Sequence, residues 1–366
     1  MTRVLTEREL TVSLLARQLL LERRPMPAVR AVRRLAALQA QYSPSPYVAL
    51  HSRLEGFRIE EIEAALREHT LVKSTLMRGT LHLVSADDYS AFAAACRPQL
   101  SALLRTANRA AAPLEQQIVA GLAEFTAEPR TTDEIRERVH ELSGGTVKKE
   151  SLLDYARTML PLVHVPPSGM WQRHGKFSLV AWDRPLEAEP AATTALVRGY
   201  LAAFGPATRE DIAAFTWLRY RQIDPALAAL EPDRYTDTAG RDLYDLPGAA
   251  LPAEDVPVPV RLLARLDAAV ISYRDRTRIL PAEHHDEVMK MVRSNVMPYL
   301  VDGLVAGQWS YTLQRGAAVL TLRPLAARSG PLPADLEPEA ERMLAFVAPD
   351  AGKRVVELAA PGPSNP

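Results

Sequence analysis

Residues 76 to 84 read Leu76-Met77-Arg78-Gly79-Thr80-Leu81-His82-Leu83-Val84. Leu81 and Leu83 alternate with Thr80 and His82, which is the period of a half-buried strand with Thr80 and His82 on its polar face. Three helical patterns precede it. The nearest is IEEIEAALREH at 59–69. Before that, Val29, Val32, Leu35 and Leu38 recur every third residue and predict a helix over 28–38. The first helix opens on a capping box, Thr6 with Glu9, and ends near Arg23-Arg24, where Pro25 and Pro27 break it. Three helices followed by a strand is the order of a winged-helix unit.

The pattern recurs downstream. Ser85 to Asp88 caps a helical stretch that continues, with a break at Pro113, to about Thr126. Thr131 to Glu134 then caps TTDEIRERVHEL, Gly144-Gly145 ends it, KKESLLDYARTML gives the next helix, and LVHVPPSGMWQRHGKFSLVAW reads as a hairpin turning at Pro-Pro-Ser-Gly. LAEFTAEPRTTDEI (122–135) and LAAFGPATREDI (201–212) share an apolar helix end, a proline-containing turn, a threonine cap and an acidic first turn. Similarity at this scale points to copies of one module.

Beyond Pro247 a proline-rich linker, LPGAALPAEDVPVPV, leads into short apolar runs, and 258–325 is predicted to be mostly β, with a tight hairpin turn at Asp302-Gly303. A helix from Glu337, a last strand at RVVELA and a disordered PGPSNP tail complete the chain. The predicted class is α+β: winged-helix modules at 1–112, 113–185 and 186–250, then a small C-terminal β domain at 251–366.

With 366 residues, 47% of them hydrophobic, the chain has material for two or three domains. No apolar run is long enough for a bilayer and MTRVLTEREL lacks the apolar centre of a signal peptide, so a soluble cytoplasmic protein is expected. The single cysteine, Cys96, excludes an intramolecular disulfide. Net charge is zero, but residues 1–34 hold eight arginines against three glutamates. That surplus suits either a phosphate-facing surface or an ordinary solvated helix.

The helix over 28–38 runs into Gln39-Ala40-Gln41-Tyr42-Ser43-Pro44-Ser45-Pro46-Tyr47. On a helix, positions i and i+2 diverge by about 200°; in extended chain they share a face. Pro44 and Pro46 bias the residues before them away from helix, so the amides of Gln39 and Gln41 are expected to converge. An amide pair holds a water and offers an oxygen to a reacting carbon without bringing a full charge, which suffices when the leaving group departs easily. Two glutamines at a helix end also serve simply to satisfy loose backbone groups. Other chemistry has no motif here: there is no Walker loop, no G-x-G-x-x-G and no G-x-S-x-G, and adjacent His284 and His285, between Glu283 and Asp286, lack a metal-binding spacing. No metal and no cofactor is expected. None of the six lysines lies near the glutamine pair in sequence, although tertiary contact could bring one there.

In order, the Q-apolar-Q motif, RGTLHLV, the threonine-capped helix after Gly205-Pro206, LLARLDAAVISYRDR and VDGLVAGQW resemble the AlkZ-like winged-helix DNA glycosylases, across residues 8 to 325. The resemblance implies tandem winged helices around a basic concave surface, and hydrolysis of the N-glycosidic bond of N7-alkylated guanine, bulky adducts and interstrand crosslinks included. It implies Gln39 and Gln41 as the catalytic pair. A sister branch carries aspartate at the second position, so Gln41 is similar to the self-resistance type. Thr80 and His82 are expected to support the pair, and Arg33, Arg34, Arg78, Lys148, Lys149, Arg274 and Arg276 to contact DNA. The expected partner is double-stranded DNA carrying alkylated guanine, bound by a monomer. The competing reading is a non-catalytic multi-winged-helix transcriptional regulator.

Overall fold

The computed structural model describes residues 2–173, 175, 177–281, 284–293, 296–314, 316–325 and 333–361. The chain opens with β1 (Arg3–Leu5) and α1 (Glu7–Arg17), then α2 (Ala28–Arg34), β2 (Leu38–Gln39), α3 (Ser45–Arg53), α4 (Ile59–Arg67), β3 (Leu71–Thr75) and β4 (Leu81–Ser85). Long α5 (Ala86–Ala107) leads to α6 (Glu115–Phe125), β5 (Arg130–Thr131), α7 (Thr132–Leu142), α8 (Leu152–Met159), β6 (Leu162–Val165) and β7 (Ser178–Ala181). A third series comprises α9 (Ala191–Phe204), α10 (Arg209–Thr216), α11 (Tyr220–Leu230), β8 (Asp233–Asp237) and β9 (Asp242–Asp245).

The three series share one order: helix, short extended segment, two helices, hairpin. In each, the short segment pairs with the second hairpin strand, as β2 with β4, β5 with β7, and Ala207 with Tyr244 of β9. The first two hairpins meet at β3 and β6, where Ser74 faces Val163 and its hydroxyl donates to the Leu162 carbonyl (2.7 Å), giving one six-stranded sheet, β2-β4-β3-β6-β7-β5. The third hairpin instead takes β1 as a parallel partner of β8.

The remainder is β10 (Arg261–Leu262), α12 (Ala268–Ile271), α13 (His285–Arg293), β11 (Met297–Val301), β12 (Leu304–Gln314), β13 (Ala317–Pro324), α14 (Leu336–Val347) and β14 (Lys353–Leu358). Its strands form one sheet in the order β10-β11-β12-β13-β14. Asp302 (φ 48°) and Gly303 (φ 85°) make the tight β11–β12 turn in the left-handed backbone that an Asp-Gly pair favours.

The predicted caps are present: Thr6 with Glu9, Thr131 with Glu134, Thr208 with Asp211, and Ser85 accepting from the Asp88 amide. Other expectations need correction. The helix predicted to run to Leu38 stops at Arg34, because Ala36 turns left-handed (φ 64°), and α1 stops at Arg17 ahead of left-handed Leu19 (φ 58°). Pro44 and Pro46 do more than break the preceding helix. They start α3, where the first turn needs no proline amide donors. The strand at 71–75 lies where the sequence pattern predicts none, and α12 and α13 interrupt the predicted β region. β4 has no exposed polar face, since all five residues are buried. The tail beyond residue 361 and Glu283 lie outside the described residues. Among those residues no helix is long and apolar enough to cross a membrane.

Two ion pairs fasten the first series to later parts of the chain. Arg17 pairs with Asp245 (2.6 Å) and donates to the Leu201 carbonyl (2.9 Å). Arg53 on α3 is fully buried, bonds Asp267 through both terminal nitrogens (2.9 and 2.7 Å) and donates from Nε to the Gln18 carbonyl. Removing one member of a buried pair strands the other charge. Arg53→Ala is therefore expected to lose about 3–5 kcal/mol in urea unfolding; a loss below about 1 kcal/mol would show that the pair carries no such weight.

Candidate functional site

The two glutamines stand where α2 gives way to extended chain. In antiparallel register, Leu38 faces Leu83 and Gln39 faces His82, and the Ala40 amide donates to the Leu81 carbonyl (2.8 Å). Gln39 and Gln41 therefore share a face. Both meet the turn before β4. The Gln39 Oε1 accepts from Arg78 Nη2 (3.4 Å) and the Thr80 hydroxyl (3.3 Å), while the Gln41 Oε1 accepts from the Leu81 amide (3.3 Å). Gln39 is 8% exposed and Gln41 is open to solvent, so the pair runs from interior to surface.

The turn is a single 3-10 turn, Met77–Gly79, with left-handed backbone at Arg78 (φ 56°) and Gly79 (φ 67°). Arg78 is held from both sides: Nη1 donates to the Phe215 carbonyl (3.1 Å), and the guanidinium lies 4.7 Å over the Phe215 ring. Burial, with Arg276 nearby, lowers its pKa to about 10, which leaves it a cation at neutral pH. The cation polarises the Gln39 carbonyl and, with Thr80, occupies its acceptor oxygen. The Gln39 N–H donors are then the part of that amide left to meet a water.

His82 makes no hydrogen bond to Gln39. Its Nδ1 lies 3.0 Å from the Thr80 carbonyl, which only accepts, so Nδ1 carries the proton and the ring holds the backbone of the residue that bonds Gln39. Nε2 is buried without a partner among the described residues. Lys73, which no sequence motif marks, comes close through tertiary structure: Nζ lies 3.5 Å from the Ser43 hydroxyl, and burial lowers its pKa to about 8. It faces the other way, however. Lys73 aligns with Leu83 and Leu38, whereas Ser74 aligns with His82 and Gln39, and successive side chains alternate across a sheet.

Segment 42–45 is tied to the C-terminal part. The Ser45 hydroxyl donates to the Arg265 carbonyl (3.0 Å) and the Arg265 guanidinium lies 4.5 Å over the Tyr42 ring.

A family model described as DNA glycosylase AlkZ-like matches residues 32–346. The chain belongs to the AlkZ-like DNA glycosylase family. Its mixed α+β fold is similar to that of the DNA glycosylase AlkZ of Streptomyces sahachiroi, with a TM-score of 0.72 at 19% sequence identity, over 97% of this chain and 100% of that one. At that identity the likeness concerns the fold. No curated protein matches.

The structure of this AlkZ-like chain sorts the basic residues singled out in the sequence. Arg78 is a neighbour of Gln39 instead of a surface contact; Arg276, whose charge Arg78 feels, also reaches the Met289 sulfur (3.0 Å). Arg33 is paired with Asp87 (3.3 Å) and Asp88 (3.7 Å). Arg34, Lys148, Lys149 and Arg274 are exposed and, among the described residues, lack an acidic partner. The N-terminal arginine surplus is largely neutralised internally: Arg3 pairs with Glu9, Arg8 with Asp302, Arg17 with Asp245, Arg23 with Glu339 and Arg24 with Glu22.

Burial, with Arg78 beside it, pushes the His82 imidazole down to about 3. Unfolded histidine titrates near 6.5, so below that pH the unfolded chain binds a proton that the folded chain refuses. The stabilising contribution is complete above about pH 6.5 and is lost as pH falls toward 3. His82→Gln is expected to flatten the decline in stability between about pH 6.5 and pH 4 in urea titrations; a slope equal to that of the wild type would show an ordinary histidine.

Proposed function

We propose that the chain is a monofunctional DNA glycosylase that hydrolyses the N-glycosidic bond of N7-alkylated guanine in duplex DNA. Bulky natural-product adducts and interstrand crosslinks are its intended lesions, which makes its role repair and toxin self-resistance, and the protein works as a monomer. The observation that carries this reading is the pairing of Gln39 and Gln41 on one extended segment with their oxygens fixed by the Arg78–Leu81 turn.

Alkylation at N7 leaves guanine cationic, so the C1′–N9 electron pair passes to a base that needs no general acid. The remaining requirement is a placed water. A Gln39 N–H donates to the water oxygen, the free lone pair of the Gln41 Oε1 accepts one water hydrogen, and the other water lone pair meets C1′ as the sugar gains oxocarbenium character. The water then gives up its proton to solvent. His82, neutral over the physiological range, adds no second cation beside that sugar. Lys73, on the far face of the sheet, is not placed to attack C1′, which supports hydrolysis over amine chemistry. The exposure of Gln41 suits a lesion attacked in place, as a base tied to both strands requires, since it cannot flip into a pocket.

In this proposal the three series are tandem winged helices, bounded at 1–112, 113–185 and 186–250, ahead of a β-rich unit at 251–366. Their repeated order of helix, short segment, two helices and hairpin supports it. Arg34, Lys148, Lys149 and Arg274 hold phosphates from the surface, while Arg78 and Arg276 supply positive field near the glutamines.

Two experiments test the proposal. DNA carrying N7-alkylguanine is incubated with protein and the abasic sites are converted to strand breaks: wild type is expected to produce them, Gln39→Ala/Gln41→Ala to lose them, and Thr80→Val to retain a rate lowered about threefold to tenfold through the lost hydroxyl bond. Breaks equal with and without protein would favour a DNA-binding regulator. Separately, Lys148→Ala/Lys149→Ala is expected to reduce the slope of log affinity against log salt by about two; an unchanged slope would remove both lysines from the DNA interface.

A further inference from the structure

Trp217 is the residue of α10 and its flank that packing does not explain. It caps α10 in left-handed backbone (φ 62°, ψ 13°), a conformation that disfavours a bulky side chain, and it leaves 42% of its surface exposed. Its indole N–H has no hydrogen-bond partner among the described residues. Tyr220, equally exposed, is covered by the Arg209 guanidinium at 4.0 Å, whereas among the described residues no guanidinium lies over Trp217.

Its location is the second observation. A Cβ built on Gly79 would lie 3.8 Å from the Trp217 Cζ3, so the indole abuts the turn whose neighbours Arg78, Thr80 and Leu81 hold the two glutamines. Two residues earlier, Phe215 anchors Arg78 through its carbonyl and its ring. The end of α10 therefore both braces the catalytic turn and sets an open aromatic surface beside it. An aromatic face stacks on any base and gains more from a wider planar system.

We infer that Trp217 stacks on the lesion at the edge of the glutamine site and sets a preference for N7-guanine adducts that carry a planar aromatic group over those that carry a small alkyl group. The inference rests on the glycosylase reading and extends it to the class of adduct. Phe215 supports the turn from within; Trp217 meets the substrate. Its left-handed backbone places the ring at the surface in advance, so little ordering accompanies binding.

The test compares single-turnover release of a planar aromatic N7-guanine adduct and of N7-methylguanine from the same duplex. Trp217→Ala is expected to slow release of the aromatic adduct about tenfold or more, and to slow release of N7-methylguanine by a smaller factor, so that the ratio of the two rates falls. Trp217→Phe keeps most of the ratio, and Trp217→Leu, which keeps apolar bulk without a π face, loses it. Circular dichroism and melting curves establish that each variant is folded. Binding is read independently in the Gln39→Ala/Gln41→Ala background, where the aromatic adduct is expected to quench tryptophan fluorescence and Trp217→Phe to remove most of that quench. Equal slowing on both substrates, or a quench that survives Trp217→Phe, overturns the stacking role while leaving the glycosylase reading intact. A wild type that releases neither base, in contrast, ends that reading and the inference with it.

Discussion

The buried pair of Arg53 and Asp267 is the constraint that holds α3, the helix directly after the glutamine segment, against the C-terminal part of the chain. It joins α3, which starts four residues after Gln41, to the segment that carries Arg265, and the Arg265 carbonyl in turn accepts from Ser45 while its guanidinium covers Tyr42. A charge pair removed from water is costly unless its geometry is complete. Here Arg53 reaches both carboxylate oxygens and two backbone carbonyls, and Asp267 also accepts from the Ala269 amide at the start of α12. The chain just after the two neutral amides is thus anchored by ionic contacts well outside the site.

Within the site, charge is kept in one place. Arg78 remains cationic and is engaged by the Gln39 oxygen and by Phe215; His82 is kept neutral by burial and used as a backbone support. The two amide oxygens are engaged differently: that of Gln39 accepts from two side chains, that of Gln41 from one backbone amide. Chemically equivalent groups are thus distinguished by what they touch, in the way that two carboxylates are told apart by environment in some enzymes.

What is legible in the sequence is what is decided locally. Capping boxes at Thr6, Thr131 and Thr208, the Asp302-Gly303 turn, and the extended chain at Gln39 all depend on residues a few positions apart. Sequence and structure part where distant partners decide. LVKST hides a strand because Lys73 is polar, yet it is buried against the second hairpin near Gly169. The N-terminal arginines read as a basic face because Asp302, Asp245 and Glu339, which neutralise Arg8, Arg17 and Arg23, lie hundreds of residues on. Trp217 gives no signal in a helical pattern; only its left-handed backbone and its position over Gly79 distinguish it.

The seam between β3 and β6 has a metrical consequence. Adjacent strands lie about 4.8 Å apart, so the continuous sheet from β2, which holds Gln39, to β5 at the opposite edge is about 24 Å across, roughly the rise of seven base steps of B-form DNA. A flexible tether would let that interval drift; hydrogen-bonded strands hold it like the jaws of a caliper. In the proposed complex the first two units would meet a double helix as a gauge of fixed width.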